Sequence, residues 1–151
     1  MLIESKDLKS TITKLKNEEN YVLLLDITVV DYLEFPDVTP SRFAVVYIFR
    51  DSSYKKEITV KTFVDDETLE LDSITDLYLS ANWAERETYD QYGVKFKGHP
   101  NLKRLLNHHQ FIGHPLRKDY TITKGQICTE TEDLMDEMEP DLNQKGIHLM
   151  R

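Results

Sequence analysis

The sequence predicts an α+β fold: two layers, a mixed and mostly antiparallel sheet packed by helices, with an extended C-terminal arm. Three observations predict it. Residues 21–64 hold three runs of β-branched and aromatic residues separated by short turn signals. Apolar residues at helical spacing precede those runs, and a well-bounded helix follows them. Beyond Gly98 the periodicity gives way to glycine and proline turns.

Ser5 is placed to cap a first helix, on which Leu8, Ile12 and Leu15 share one face. Glu19 and Asn20 end it. Residues 21–35 read as a long strand that stops before Pro36. Residues 42–49 are apolar on both sides, the mark of a central strand. In residues 56–64, Ile58, Val60, Thr62 and Val64 alternate with Glu57, Thr59, Lys61 and Phe63. The short turns between these three strands predict antiparallel pairing. A helical segment is expected from Asp72 or Ser73 to Leu79. The next helix has Asn82 as N-cap and Glu85 in the capping-box position, so that Glu85 and Glu87 fall in its first turn. Gly93 supplies the left-handed residue that ends it. Residues 94–97 form one more short strand. This divides the chain into an α+β domain, residues 1–98, and a partner-docking arm with an acidic tail, residues 99–151.

The 151 residues suffice for one domain with a real core. The net charge of −8 argues against free nucleic acid or anionic lipid as the main partner. One cysteine, Cys128, excludes an internal disulfide and fits a reducing compartment. No apolar run approaches the ~20 residues of a membrane helix, and the charged N-terminus is unlike a signal peptide. Charge is segregated. Residues 94–118 contain no acid but carry Lys95, Lys97, Lys103, Arg104, Arg117 and Lys118. The tail from Thr121 onward is net acidic.

The densest cluster of specific residues runs from Asn82 to Tyr120. Glu85, Tyr89 and Tyr92 share one helix face. Arg86 and Asp90 are one turn apart and positioned to pair. Trp83 is expected to anchor the helix in the core. General acid–base chemistry by Glu85 or Glu87 would need a nucleophile, phosphate loop or oxyanion donor, and none accompanies them. His99, His108, His109 and His114 lack the i, i+4 spacing of a helical zinc site, and no carboxylate lies within their segment. His99 and His114 each sit in a Gly-His-Pro turn, where structural hydrogen bonding is expected; His108 and His109 are expected at the surface. The basic segment with Phe96, Phe111 and Tyr120 lacks the motifs of a nucleic-acid groove. A protein partner with a complementary acidic surface fits better.

These residues resemble a known family. Ala81-Asn82-Trp83, Glu85-Arg86-Glu87, Asp90, Tyr92, His99, Lys103, Leu105-Leu106 and Gly113-His114-Pro115-Leu116-Arg117-Lys118-Asp119-Tyr120 are similar to the signature of the 30-kDa subunit family, the C-type subunits of bacterial NADH:quinone oxidoreductase, respiratory complex I. The chain departs from that pattern at Gln91, His108-His109 and Thr121. The resemblance implies a non-catalytic structural subunit of the peripheral arm, at the cytoplasmic face of the membrane. Proteins of this kind hold no cofactor; flavin, iron–sulfur clusters and quinone belong to their partners. They pack on the D-type subunit, which helps form the quinone site, near the iron–sulfur subunits. Trp83, Glu85, Arg86, Glu87, Asp90, His99, Lys103 and His114 would then be interface or signature positions, with Arg117, Lys118, Asp119 and Tyr120 docking on the D-type subunit. Membrane-bound hydrogenases and carrier-protein-dependent quinone reductases have a related scaffold subunit, which is the alternative.

Overall fold

Strand β3 (Phe43–Arg50) is central, as its two-sided apolar run predicts. It pairs antiparallel with β2 (Leu23–Asp31) on one side and β4 (Glu57–Phe63) on the other. A two-residue strand, β1 (Leu2–Ile3), adds to β4 in parallel, giving the order β1-β4-β3-β2. The computed structural model describes residues 1–121, 123, 125 and 126. Helices α1 (Leu8–Asn17) and α2 (Ala81–Tyr92) complete the fold. A second, two-stranded parallel sheet pairs β5 (Glu70–Asp72) with β6 (Lys95–Lys97), on either side of α2 in the sequence.

The strand register decides which side chains meet. Tyr47 lies between Ile27 and Val60, and Val45 between Val29 and Thr62. All six are buried. All but Thr62 pack with Leu8, Ile12 and Leu15 of α1 and Ala81 of α2 in one core. Full burial of side chains such as Phe49 and Val60 contributes about 1.5–3 kcal/mol each. The opposite face of the sheet carries Val30, Val46, Ile48 and Lys61, all more exposed. One covered face and one open face make two layers. The register slips between Leu24 and Asp26, so Leu25 is an extra residue that bulges outward.

The structure corrects several sequence expectations. Ser5 does not cap α1: it opens a single 3-10 turn (Ser5–Asp7), and Asp7 stands at the N-cap without a side-chain bond. The first long strand is shorter than residues 21–35. Asn20 adopts φ 60° before it, and the Asp31 carboxylate turns the chain after it by accepting from the Leu33 amide at 2.9 Å. Residues 73–80 form turns, not a helix. Asp72 is committed to the β5–β6 pair, and the Ser73 amide donates to the Lys97 carbonyl at 2.8 Å. Helix α2 starts at Ala81 behind Ser80, so Asn82 is inside the helix and no capping box forms. Glu85 points instead into the core, where its Oε1 accepts from the Ile74 amide at 2.8 Å. Neither Glu85 nor Glu87 lies in the first turn. Gly93 ends α2 in the left-handed region, φ 84°, as predicted.

Candidate functional site

Residues 98–121 contain no helix or strand, and two buried carboxylates fasten them to the body of the protein. Asp90, on the last turn of α2, is fully buried. One oxygen accepts from the amides of Leu105, Leu106 and Asn107 at 2.8–3.0 Å. The other accepts from Arg104 Nη1 at 2.6 Å and Asn107 Nδ2 at 3.0 Å. Burial works against this charge. The Asn107 donors, Arg104 and the Leu106 amide outweigh it and hold the carboxyl at about 2. Arg104 Nη2 reaches on to the Gly113 carbonyl at 3.0 Å, which extends the clasp toward the second Gly-His-Pro turn.

The second clasp closes on Asp31 at the end of β2. Arg42 forks across both its oxygens at 2.8–2.9 Å and across both oxygens of Asp119 at 2.8–3.0 Å. The Lys118 amide donates to Asp31 at 3.0 Å. Burial again opposes the charge, but Arg42 and the Lys118 and Leu33 amides bring Asp31 down to about 2. The guanidiniums of Arg42 and Arg117 both lie over the Phe43 ring, at 4.6 and 5.2 Å from its centre.

The two Gly-His-Pro histidines hydrogen-bond to α2. His99 Nδ1 accepts from the Asn101 amide at 3.0 Å, so its proton sits on Nε2 and is donated to the Asn82 carbonyl at 3.1 Å. His114 Nδ1 donates to the Asp90 carbonyl at 2.9 Å. Burial pushes the His114 pKa down, so this ring stays neutral. His108 is half-buried and His109 exposed. No group of three histidine, cysteine or acidic side chains among the described residues is arranged to hold a metal.

Arg86 does not pair with Asp90. Its Nε and Nη2 donate to the Lys103 and Arg104 carbonyls at 3.1 and 3.0 Å, while the Asp90 oxygens are already engaged by Arg104, Asn107 and the 105–107 amides. Trp83 is not a core anchor. It is 65% exposed, with Arg86 over its ring at 5.7 Å. Leu79, four residues earlier in the turn leading into α2, is 90% exposed. Glu87 and the Lys103 side chain lie at the surface. The Arg117–Tyr120 string makes contacts within the chain. Arg117 Nε donates to the Tyr92 carbonyl at 2.6 Å, Lys118 Nζ to the Leu33 carbonyl at 3.1 Å, and Tyr120 stacks on Phe111.

Asp31, Arg42 and Asn107 are clasp residues that sequence reasoning missed. The available signal was an acid closing an apolar strand and a base just ahead of the next.

Gly93 joins both clasps to α2. A Cβ there would fall on Arg117 Nη2 and 2.7 Å from His114 Nε2, besides requiring the left-handed conformation. Gly93→Ala is expected to cost about 1–3 kcal/mol, read from the urea midpoint.

The chain is thus a carboxylate-clasped α+β module with an exposed tryptophan on α2. Its first 126 residues match the family model described as respiratory-chain NADH dehydrogenase, 30 Kd subunit, and the chain belongs to that family. The C-type subunit of NADH-quinone oxidoreductase from Mesorhizobium japonicum is 40% identical over 125 residues, covering 82% of this chain. The chain spans 60% of that relative's length. A fused C/D protein of the same oxidoreductase from Bdellovibrio bacteriovorus is 36% identical over 138 residues, 91% of this chain and 24% of the fusion. The solved trypsin-resistant fragment (1-134) of Nqo5 superposes with a TM-score of 0.62 at 37% identity, covering 67% of this chain and 80% of the fragment. No helix among the described residues is long and apolar enough to cross a membrane.

Proposed function

We propose that this chain is a structural, non-catalytic subunit of the peripheral arm of a proton-translocating NADH:quinone oxidoreductase, held at the cytoplasmic face of the membrane by its partners. It docks on a D-type subunit, near the iron–sulfur subunits, and supports electron transfer to quinone without holding a cofactor. Flavin, iron–sulfur clusters and quinone are assigned to the partners. The observation that carries this reading is the exposed Trp83 and Leu79 beside a basic segment that the two clasps hold in place. A large ring kept on the surface by a backbone-anchored arginine is the composition of a protein-binding hot spot, pre-organised so that little entropy is lost on docking. The fused C/D relative supports a D-type partner.

Trp83→Ala tests it. Folding stability is expected to change by less than about 1 kcal/mol, since only exposed contacts are lost. Partner affinity is expected to fall about 30-fold or more. The tagged chain is purified from its host in mild detergent, and the bound chains are identified by mass spectrometry. Undiminished recovery of a D-type partner with the Ala variant would remove Trp83 from the interface. A recovered partner with nickel-ligating cysteine pairs would replace the quinone-reductase reading with a hydrogenase one.

A further inference from the structure

Glu85 and Tyr47 are both fully buried, yet among the described residues Glu85 Oε2 and the Tyr47 hydroxyl have no hydrogen-bond partner. Neither oxygen takes part in the clasps. Glu85 sits on α2 and Tyr47 at the centre of the sheet, and the carboxyl is near enough for its charge to bear on the phenol. The other charged groups that bear on this pair are Asp72 of β5, Asp76 of the 73–80 turn and Lys9 of α1. Lys9 is the only cation among them, and it is 2.9 Å from Asp76 in a surface pair. The Ser73 hydroxyl also favours the charged form of Glu85, but it lies 2.8 Å from Thr75 Oγ1 and is shared with that group. Against full burial, Glu85 thus has the Ile74 amide, a shared hydroxyl, and no ion pair among the described residues. A carboxylate so placed is strongly disfavoured, whereas a neutral carboxylic acid supplies a donor on the orphaned oxygen.

We infer that Glu85 is a proton-binding site of the fold: the folded chain holds it as a neutral acid, and its ionisation, by drawing a buried charge toward water, loosens the packing of α2 on residues 73–80. The Ile74–Glu85 hydrogen bond crosses that packing, which underlies the segment from which Leu79 and Trp83 project. The protonation itself is independent of the docking reading; only its effect on a partner rests on that reading.

Burial pushes the Glu85 carboxyl up to about 7. The folded state thus holds this proton more tightly than the unfolded chain. The stabilisation is complete below the ordinary value of about 4.5 and is lost as pH rises through about 7.

The test compares urea unfolding of the full 151-residue chain with its Glu85→Gln variant. Gln cannot ionise. The folding equilibrium constant of the wild type should fall, relative to the variant, roughly 50- to 100-fold between about pH 5 and pH 8. Infrared spectra should show a buried protonated carboxyl at about pH 6 that is absent from Glu85→Gln and gone by about pH 9. Amide exchange at Ile74 should speed up over the same range, beyond its intrinsic pH dependence. Parallel unfolding curves would overturn the proposal. If Glu85→Gln does not fold, carbon-13 NMR of the wild-type carboxyl decides: a midpoint near 7 supports it and one near 4.5 overturns it. None of these readouts involves a partner, so they fail or succeed separately from the docking reading.

Discussion

Asp90→Ala is expected to destabilise the protein by about 3–5 kcal/mol, because it strips the partner from a half-buried arginine and leaves three successive amides without an acceptor. Asp90→Asn should fare little better. Its amide keeps the shape, but its NH₂ would confront donors that now meet an anion. The loss is local before it is global. The amides of Leu105, Leu106 and Asn107 should lose hydrogen-exchange protection, while the sheet amides of β3 change only with the global stability. Glu87→Ala, at a surface position nearly one turn earlier, is the control and should stay within about 0.5 kcal/mol. Urea unfolding of the three variants measures this. A loss under about 1 kcal/mol for Asp90→Ala would mean that residues 103–107 hold their place without the clasp.

The strength of that clasp explains why the basic segment misleads a reader of the sequence. Six lysines and arginines with no acid among them look like a surface waiting for a partner. Two of them, Arg104 and Arg117, are turned inward, onto Asp90 and the Tyr92 carbonyl. The acid that neutralises Arg104 is fourteen residues upstream on a helix, and charge counted along the chain cannot see it. The main-chain amide of Lys118 likewise meets the Asp31 carboxylate across 87 positions. Pairings of that length are fixed by the fold, not by local spacing.

Local rules succeeded where the backbone alone decides. Gly93 ends α2 because only the left-handed conformation turns the chain there. The two-sided apolar run of residues 42–49 and the alternation of residues 56–64 mark the right strands, since a one-residue slip of the latter would expose the core face. Local rules failed around Asn82 and Glu85 because a capping box and a buried acid have the same sequence signature. What separates them is whether the helix start faces solvent, and β5 and the turn after it decide that. Trp83 failed for a related reason. Size and hydropathy favour the core, but Ala81, Glu85 and Thr88 occupy the side of α2 that meets the sheet, and Trp83 lies on the other side.

Acid should unfold this protein through the same two carboxylates. Asp31 and Asp90 both sit at about 2, against an ordinary value of 3.8, and both side chains are almost wholly buried. For a carboxyl depressed by folding, the stabilisation is present above the ordinary value and is lost as pH falls toward the folded one. Each contributes about 2.5 kcal/mol at neutral pH, and the two act on separate donors, so about 5 kcal/mol should disappear between about pH 5 and pH 1. His114 adds to the loss in the same direction, since burial keeps it neutral while the unfolded chain takes up a proton. Glu85 has the opposite sign, for its carboxyl is raised by folding. Stability should therefore peak near pH 5, between the release of the Glu85 proton above and the protonation of the clasps below. Asp31→Asn and Asp90→Asn should each flatten the acid limb of the stability curve and leave the alkaline limb in place. An acid limb unchanged in both variants would mean that other carboxylates hold residues 98–121 to the sheet and helix.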